Sequence, residues 1–401
     1  MPDYFKLYYR RKYYGTLESQ RPEPARDLRI KRRAPLLAVA VSTVVVFILL
    51  LITRARWTPQ TMGTLDSFAV DDESSDELAP VSVNATYEIV NHTGIVYGQG
   101  LANCSNHTDE KTCSRMNLTL DIWEPVQHPP PGTRRPAMVL IHGGSFSGGD
   151  ATEDGMGSDG PWFAERGWTV FSINYRLVGD HGLIPEGYNI QNTRPSWLNE
   201  SNFIAIWGWM YPAVRDSKAA IRFVRANADR YQIDENKITV LGGSAGACAA
   251  LAIGVTFQDD YKSELEATDS TLETTHLSVA SHVRTVVSHW GCLDAIFAVT
   301  HKDGVERWRR EGMPPVAAYH GTNDTEVSPQ NSMYLCQMYK LMGIDCHLTL
   351  LDGWGHDCWN ARVFPKDLDV RGAALPSNIS QNDDTLAFLV EQQDLPLAAA
   401  S

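Results

Sequence analysis

Ile238-Thr239-Val240-Leu241-Gly242-Gly243-Ser244-Ala245-Gly246-Ala247-Cys248-Ala249-Ala250 joins an apolar run to an alanine-rich one through a serine set among glycines. Ile238 to Leu241 reads as a buried strand, and Ala245 to Ile253 as a helix packed closely through its alanines. A serine hydroxyl is a weak nucleophile unless a sharp turn exposes it and a neighbouring base removes its proton. Small residues on both sides of Ser244 permit such a turn. A reactive serine then needs a base, an acid to orient that base, and donors for a developing oxyanion.

Other strand-like runs end in the residue types that meet those needs. Pro136 to Ile141 leads into His142-Gly143-Gly144-Ser145, where two glycines allow main-chain N–H groups to approach a substrate closely. Gly143, Gly144 and Ala245 are therefore the candidate oxyanion donors, with His142 placed to order their loop through a ring hydrogen bond. Leu348 to Leu351 runs into Asp352-Gly353-Trp354-Gly355-His356, which makes His356 the candidate base ahead of His320, His289 and His142. Val316 to Tyr319 runs into His320-Gly321-Thr322-Asn323-Asp324, and Asp324 is the candidate orienting acid, with Asp294 and Asp352 as rivals. The chain order Ser, Asp, His suits residues collected at successive strand ends. Asn323-Asp324-Thr325 is also a glycosylation triplet, and Asn323 is expected to stay unmodified beside a buried turn.

Leu118 to Trp123, Trp168 to Ile173 and Val286-Val287 supply further strands, while Trp162 to Arg166 and Val214 to Ala228 carry helical signals. Alternating short strands and helices imply a predominantly parallel sheet flanked by helices, with its site beyond the strand C-termini.

The first eighty residues have a different organisation. Residues 1–33 hold ten Lys/Arg against four Asp/Glu, and residues 34–53 follow without a charge. That length fits an uncleaved N-terminal transmembrane helix acting as a signal-anchor, with the basic tail 1–33 cytoplasmic. Residues 54–80 read as an acidic stalk, and residues 81–401 as a luminal or extracellular domain. The expected topology is single-pass type II, in the secretory pathway or at the cell surface, with the membrane as a partner. Asn84, Asn91, Asn103, Asn106, Asn117 and Asn378 each head a glycosylation triplet. Seven cysteines make disulfides expected, with Cys104–Cys113 and Cys336–Cys346 close enough to pair and at least one thiol left over. Cys248 reads as a buried helix residue. A formal charge of -13 and the lack of a basic stripe argue against nucleic-acid binding, and no cysteine spacing has zinc-site character.

From about Asn117 to Trp359 the chain resembles the serine-dependent α/β-hydrolase superfamily, in its esterase/lipase branch related to hormone-sensitive lipases and bacterial carboxylesterases. The segments carrying the resemblance are His142 to Phe146, Ser172 to Leu177, Val214 to Ala220, Gly242 to Gly246, His320 to Asp324 and Asp352 to His356. The resemblance implies an α/β-hydrolase fold, with Ser244 as nucleophile, His356 as base and acid, and Asp324 as orienting carboxylate. It implies hydrolysis of a small-molecule carboxylic ester through an acyl-enzyme, with no metal or cofactor. Amide or peptide hydrolysis shares the chemistry, and an inactive membrane-tethered recognition domain is the non-enzyme alternative. The chain departs from the pattern at Ser145, where many relatives have a third glycine. It departs again between Gly179 and Tyr211, which are rich in aromatics. There Trp207 and Trp209 are candidate pocket walls, and the segment reads equally as a lid or as a satellite core.

Overall fold

Nine strands form the central sheet of the computed structural model, which describes residues 77–153, 155–185, 203–293, 301–302, 305–306, 312–359, 361–363 and 379–398. All of these fall within one unit, Glu73–Ser401. The strands are β1 (Glu77–Leu78), β2 (Ile89–Ala102), β3 (Ser114–Pro125), β4 (Thr133–Ile141), β5 (Thr169–Ile173), β6 (Ile233–Gly243), β7 (Thr285–His289), β8 (Val316–Gly321) and β9 (Cys346–Leu351). The helices that matter for the site are α1 (Met156–Ala164), α2 (Phe203–Ala226), α3 (Ala245–Val255), α4 (Gln330–Leu341) and α5 (Gln381–Gln393).

Strand order is β9-β8-β7-β6-β4-β5-β3-β2, with β1 beside β4. The pairs from β9 through β5 are parallel, whereas β5–β3 and β3–β2 are antiparallel. Parallel strands need both faces covered. Met138, Leu140, Val287 and Tyr319 pack on one face with Phe163 of α1 and Phe388 of α5. Helices α2 and α3 pack against each other and over the strands. All of β6's apolar run is buried, and α3 is buried along its whole length. The alanines and Gly254 of α3 allow that close approach.

A buried ion pair ties these layers together. Arg176, just after β5, grips Asp216 of α2 with Nε to Oδ2 at 2.8 Å and Nη2 to Oδ1 at 2.6 Å, and donates Nη1 to the Leu101 carbonyl at 2.7 Å. Both side chains are fully buried; Asp216 also faces Arg215 Nε at 3.6 Å, whereas removing Asp216 leaves Arg176 buried without its carboxylate, at a cost of about 3–5 kcal/mol.

Helix α2 begins eleven residues before the expected Val214, so the aromatic segment ending at Tyr211 is partly the start of this helix. Tyr211 is buried against Tyr261, with ring centroids 5.3 Å apart, and donates to Glu264 at 3.1 Å. At that residue the satellite-core reading holds. Residues 186–202 lie outside those described, as do the side chains of Trp207 and Trp209.

The expected membrane helix needs correction. Residues 34–53 lie outside the described residues, and among the described residues no helix is long and apolar enough to cross a membrane. α2 has the length, at 24 residues, but carries Arg215, Asp216, Lys218, Arg222 and Arg225. α3 is apolar but has only 11 residues, roughly half of what a bilayer requires. The fold that the structure supports is the mixed sheet flanked by helices. The N-terminal transmembrane helix, the signal-anchor, the type II topology, the secretory-pathway or cell-surface address and the membrane as partner thus find no support among the described residues.

Asn84, Asn91, Asn103, Asn106 and Asn117 are exposed, the last four on or beside the β2–β3 hairpin, while Asn378 lies outside the described residues. Cys104–Cys113 and Cys336–Cys346 are disulfides, and Cys358 is free and buried. Cys248 is buried in α3, and it also pairs with Cys292 beyond β7.

Candidate active site

Ser244 sits between β6 and α3 with φ 51 and ψ -118, a region disfavoured for any residue with a side chain. Its N–H donates to the His289 carbonyl at 2.9 Å, and its own carbonyl starts α3 by accepting from Cys248 N–H at 3.0 Å. The turn is locked from below at Gly246, where a Cβ would collide with the Ile141 carbonyl oxygen. That contact also brings the end of β4, and the loop after it, against the serine.

The loops after β8 and β9 are stitched together. Asn323 N–H donates to the Trp354 carbonyl at 2.8 Å and Thr322 N–H to the Leu351 carbonyl at 3.0 Å. This aligns Asp324 and His356, whose Oδ2 and Nδ1 are 2.8 Å apart, and His356 Nε2 is 2.9 Å from Ser244 Oγ. An ionised carboxylate only accepts, so the proton of a neutral His356 resides on Nδ1 and leaves Nε2 as acceptor for the serine hydroxyl.

Asp324 Oδ1 accepts from the N–H groups of Glu326 and Val327, each at 2.9 Å, and His320 Nε2 lies 3.2 Å from Oδ2. Burial pushes this carboxyl up, but the hydrogen bonds from His320, His356 and the Val327 N–H outweigh it and hold the pKa at about 2. His320 is itself held by Ser332 Oγ at 2.8 Å and by donation to the Val327 carbonyl at 2.8 Å. It belongs to the support of Asp324 rather than to the base position. His289 is wholly buried between the rings of Trp359 and Tyr319, and burial lowers its pKa to about 3. Asp352 is exposed on the turn after β9, and Asp294 lies outside the described residues.

In the β4 loop three consecutive residues have positive φ: Gly144 at 89, Ser145 at 55 and Phe146 at 58. Gly144 and Ser145 border the cavity beside Ser244, while Gly143 and Ala245 are buried behind it. His142 is stacked on Tyr175, with ring centroids 4.2 Å apart, and its Nδ1 is 2.9 Å from the Gly143 carbonyl. The Tyr175 hydroxyl donates to the carbonyls of His142 and Gly143 at 2.9 and 3.0 Å. The loop is thus held from behind by its own neighbours.

The cavity over Ser244 has a volume of about 120 Å³, and its other walls are Trp290, Trp359, Glu326 and Asp357. Trp290 and Trp359 meet edge to face, 4.7 Å between centroids, and Trp359 lies over Gly243. Sequence reasoning missed these walls. The only signals for them were proximity in sequence, with Trp359 three residues after His356 and Glu326 two after Asp324.

A family model described as BD-FAE matches residues 205–311, and the model of the carboxylesterase family matches residues 99–182. Gut esterase 1 of Caenorhabditis elegans is 31% identical over 132 residues, 33% of this chain and 20% of that protein. Neuroligin-like protein glit-1 of the same organism is 28% identical over 170 residues, 41% of this chain and 19% of that protein. The chain therefore spans about a fifth of the length of these curated relatives. Among solved structures, the apo form of Thermogutta terrifontis esterase 2 shares the fold at 21% identity and a TM-score of 0.50, over 78% of this chain and 97% of that one. The chain shares the α/β-hydrolase fold, and in separate segments its sequence is similar to esterases and carboxylesterases.

Proposed function

We propose that this protein is a serine carboxylic ester hydrolase working through an acyl-enzyme on Ser244. The observation that carries the reading is the continuous hydrogen-bonded line Asp324–His356–Ser244, at 2.8 and 2.9 Å, opening into a cavity. His356 Nε2 takes the hydroxyl proton as Ser244 Oγ bonds to the ester carbonyl carbon. The carbonyl oxygen becomes an oxyanion facing main-chain donors assigned to Gly143, Gly144 and Ala245. Ala245 also opens an 11-residue helix, whose N-terminal dipole favours negative charge. Each donor of this kind is worth roughly 3 kcal/mol of barrier. His356 then gives its proton to the departing alcohol oxygen as the carbon–oxygen bond breaks. Water, losing a proton to the same nitrogen, releases the carboxylic acid and restores Ser244. Asp324 stays ionised throughout and stabilises the imidazolium.

The matched relatives include one whose name is not that of an esterase, a neuroligin-like protein, which leaves recognition without turnover, on the same scaffold, as a second reading. An aligned serine–histidine–carboxylate line is superfluous to recognition alone, so hydrolysis is preferred. The test uses the purified full chain and Ser244→Ala with short- and long-chain nitrophenyl esters and matching anilides. Turnover of esters by the parent and a loss of at least about 10³-fold in the variant are expected. Equal turnover by both proteins refutes the mechanism. Faster cleavage of the anilides would reassign the enzyme to amides.

A further inference from the structure

We infer that Glu326 selects the charge of the ester's alcohol portion, favouring cationic over neutral and neutral over anionic alcohols. The inference rests on the ester-hydrolase reading above. In that reaction His356 Nε2 must reach the leaving oxygen, so the alcohol lies against that nitrogen. Glu326 Oε2 is 3.9 Å from the same Nε2, which sets the carboxylate beside the alcohol portion. The backbone of Glu326 is anchored, because its N–H donates to Asp324 Oδ1 at 2.9 Å, so the turn that holds the orienting acid also fixes the selecting one. Asp357, next to the base, adds a second carboxylate to the cavity wall, and among the described residues no lysine or arginine lines it. Trp290 and Trp359 complete the enclosure, and aromatic faces attract organic cations.

The Glu326 side chain is 69% exposed, so it remains hydrated and its field is screened. A single screened charge at this range changes relative rates by about fivefold, and less at high salt. The probes are three acetate esters of similar size: that of a trimethylammonio-propanol, that of its neutral tert-butyl isostere, and that of a hydroxybutanoate. For the parent, kcat/KM for the cation is expected to exceed that for the neutral ester by about fivefold and that for the anion by about twentyfold. Both ratios should shrink toward one in Glu326→Gln and in half-molar salt, and the order should invert in Glu326→Lys. Each comparison is a ratio within one protein, so a general loss of folded enzyme cancels. Ratios near one in the parent, or ratios unaffected by Glu326→Gln and Glu326→Lys, overturn the inference and leave the hydrolase reading intact. No turnover of any ester by the parent overturns both.

Discussion

Replacing Asp324 with asparagine removes one charge and leaves shape almost unchanged, so it isolates what the carboxylate does. Oδ1 accepts from two backbone N–H groups, while Oδ2 faces His356 Nδ1 at 2.8 Å and His320 Nε2 at 3.2 Å. An amide has only one acceptor oxygen. If that oxygen keeps the backbone bonds, the NH2 points at His356 and drives the imidazole into the tautomer with its proton on Nε2. That nitrogen then cannot accept the Ser244 proton. If the amide is reversed, the NH2 meets two backbone donors instead. A swap of this kind in a serine hydrolase costs about 10⁴-fold in kcat, with KM little changed. The stability cost is smaller. The carboxyl titrates at about 2 rather than its ordinary 3.8, which corresponds to about 2 kcal/mol of stabilisation. Because the folded pKa is depressed, this stabilisation is complete above about pH 4 and is lost as pH falls toward 2. Denaturant melts of parent and Asp324→Asn should therefore differ by about 2 kcal/mol at neutral pH, with the gap narrowing below about pH 4. Steady-state hydrolysis of a nitrophenyl ester reads the catalytic part. Retention of more than a tenth of the parental kcat by a folded Asp324→Asn would refute the assigned role.

Two further changes test the architecture. Gly246→Ala places a methyl group into the Ile141 carbonyl, a backbone atom that cannot swing aside; a loss of more than about 3 kcal/mol is expected, and an unaltered thermal midpoint contradicts the packing described for the elbow. The Cys248–Cys292 disulfide closes a span of 44 residues, for which loop entropy predicts about 4 kcal/mol of stabilisation. The Cys248→Ala/Cys292→Ala pair should therefore unfold at markedly lower denaturant, and an unchanged midpoint argues against that link in the folded protein.

The parts of the site carried by local chemistry were legible in the sequence. A glycine-flanked serine after an apolar run fixes a strand, a turn and a helix together, and Asp324 and His356 each follow a run of the same kind. What escaped depends on contacts between segments distant in the chain. His320 was ranked only as a lesser candidate for the base, because nothing local links it to Ser332 or to the far side of Asp324. Trp290 and Trp359 become one wall only when β7 and the loop after β9 are brought side by side. The Cys248–Cys292 link was unreadable for the same reason, whereas the two short-range pairs were foreseen. Aromatic content drew attention to the segment before Tyr211, yet Tyr211 serves packing. The membrane expectation rested on the apolar length and flanking charge of residues 34–53, which lie outside the described residues.

The hydrogen-bonded line at the centre of the site joins residues far apart in the chain. His356 reaches Asp324 across 32 positions and Ser244 across 112. Contacts of such range form late, after several loops have closed. Neither a nascent chain ending before β9 nor a collapsed intermediate with only its local turns contains a working centre. On the proposed function, recovery of hydrolysis after dilution from denaturant times the final registration of β8 and β9 against β6, and turnover becomes the clock for completing the fold.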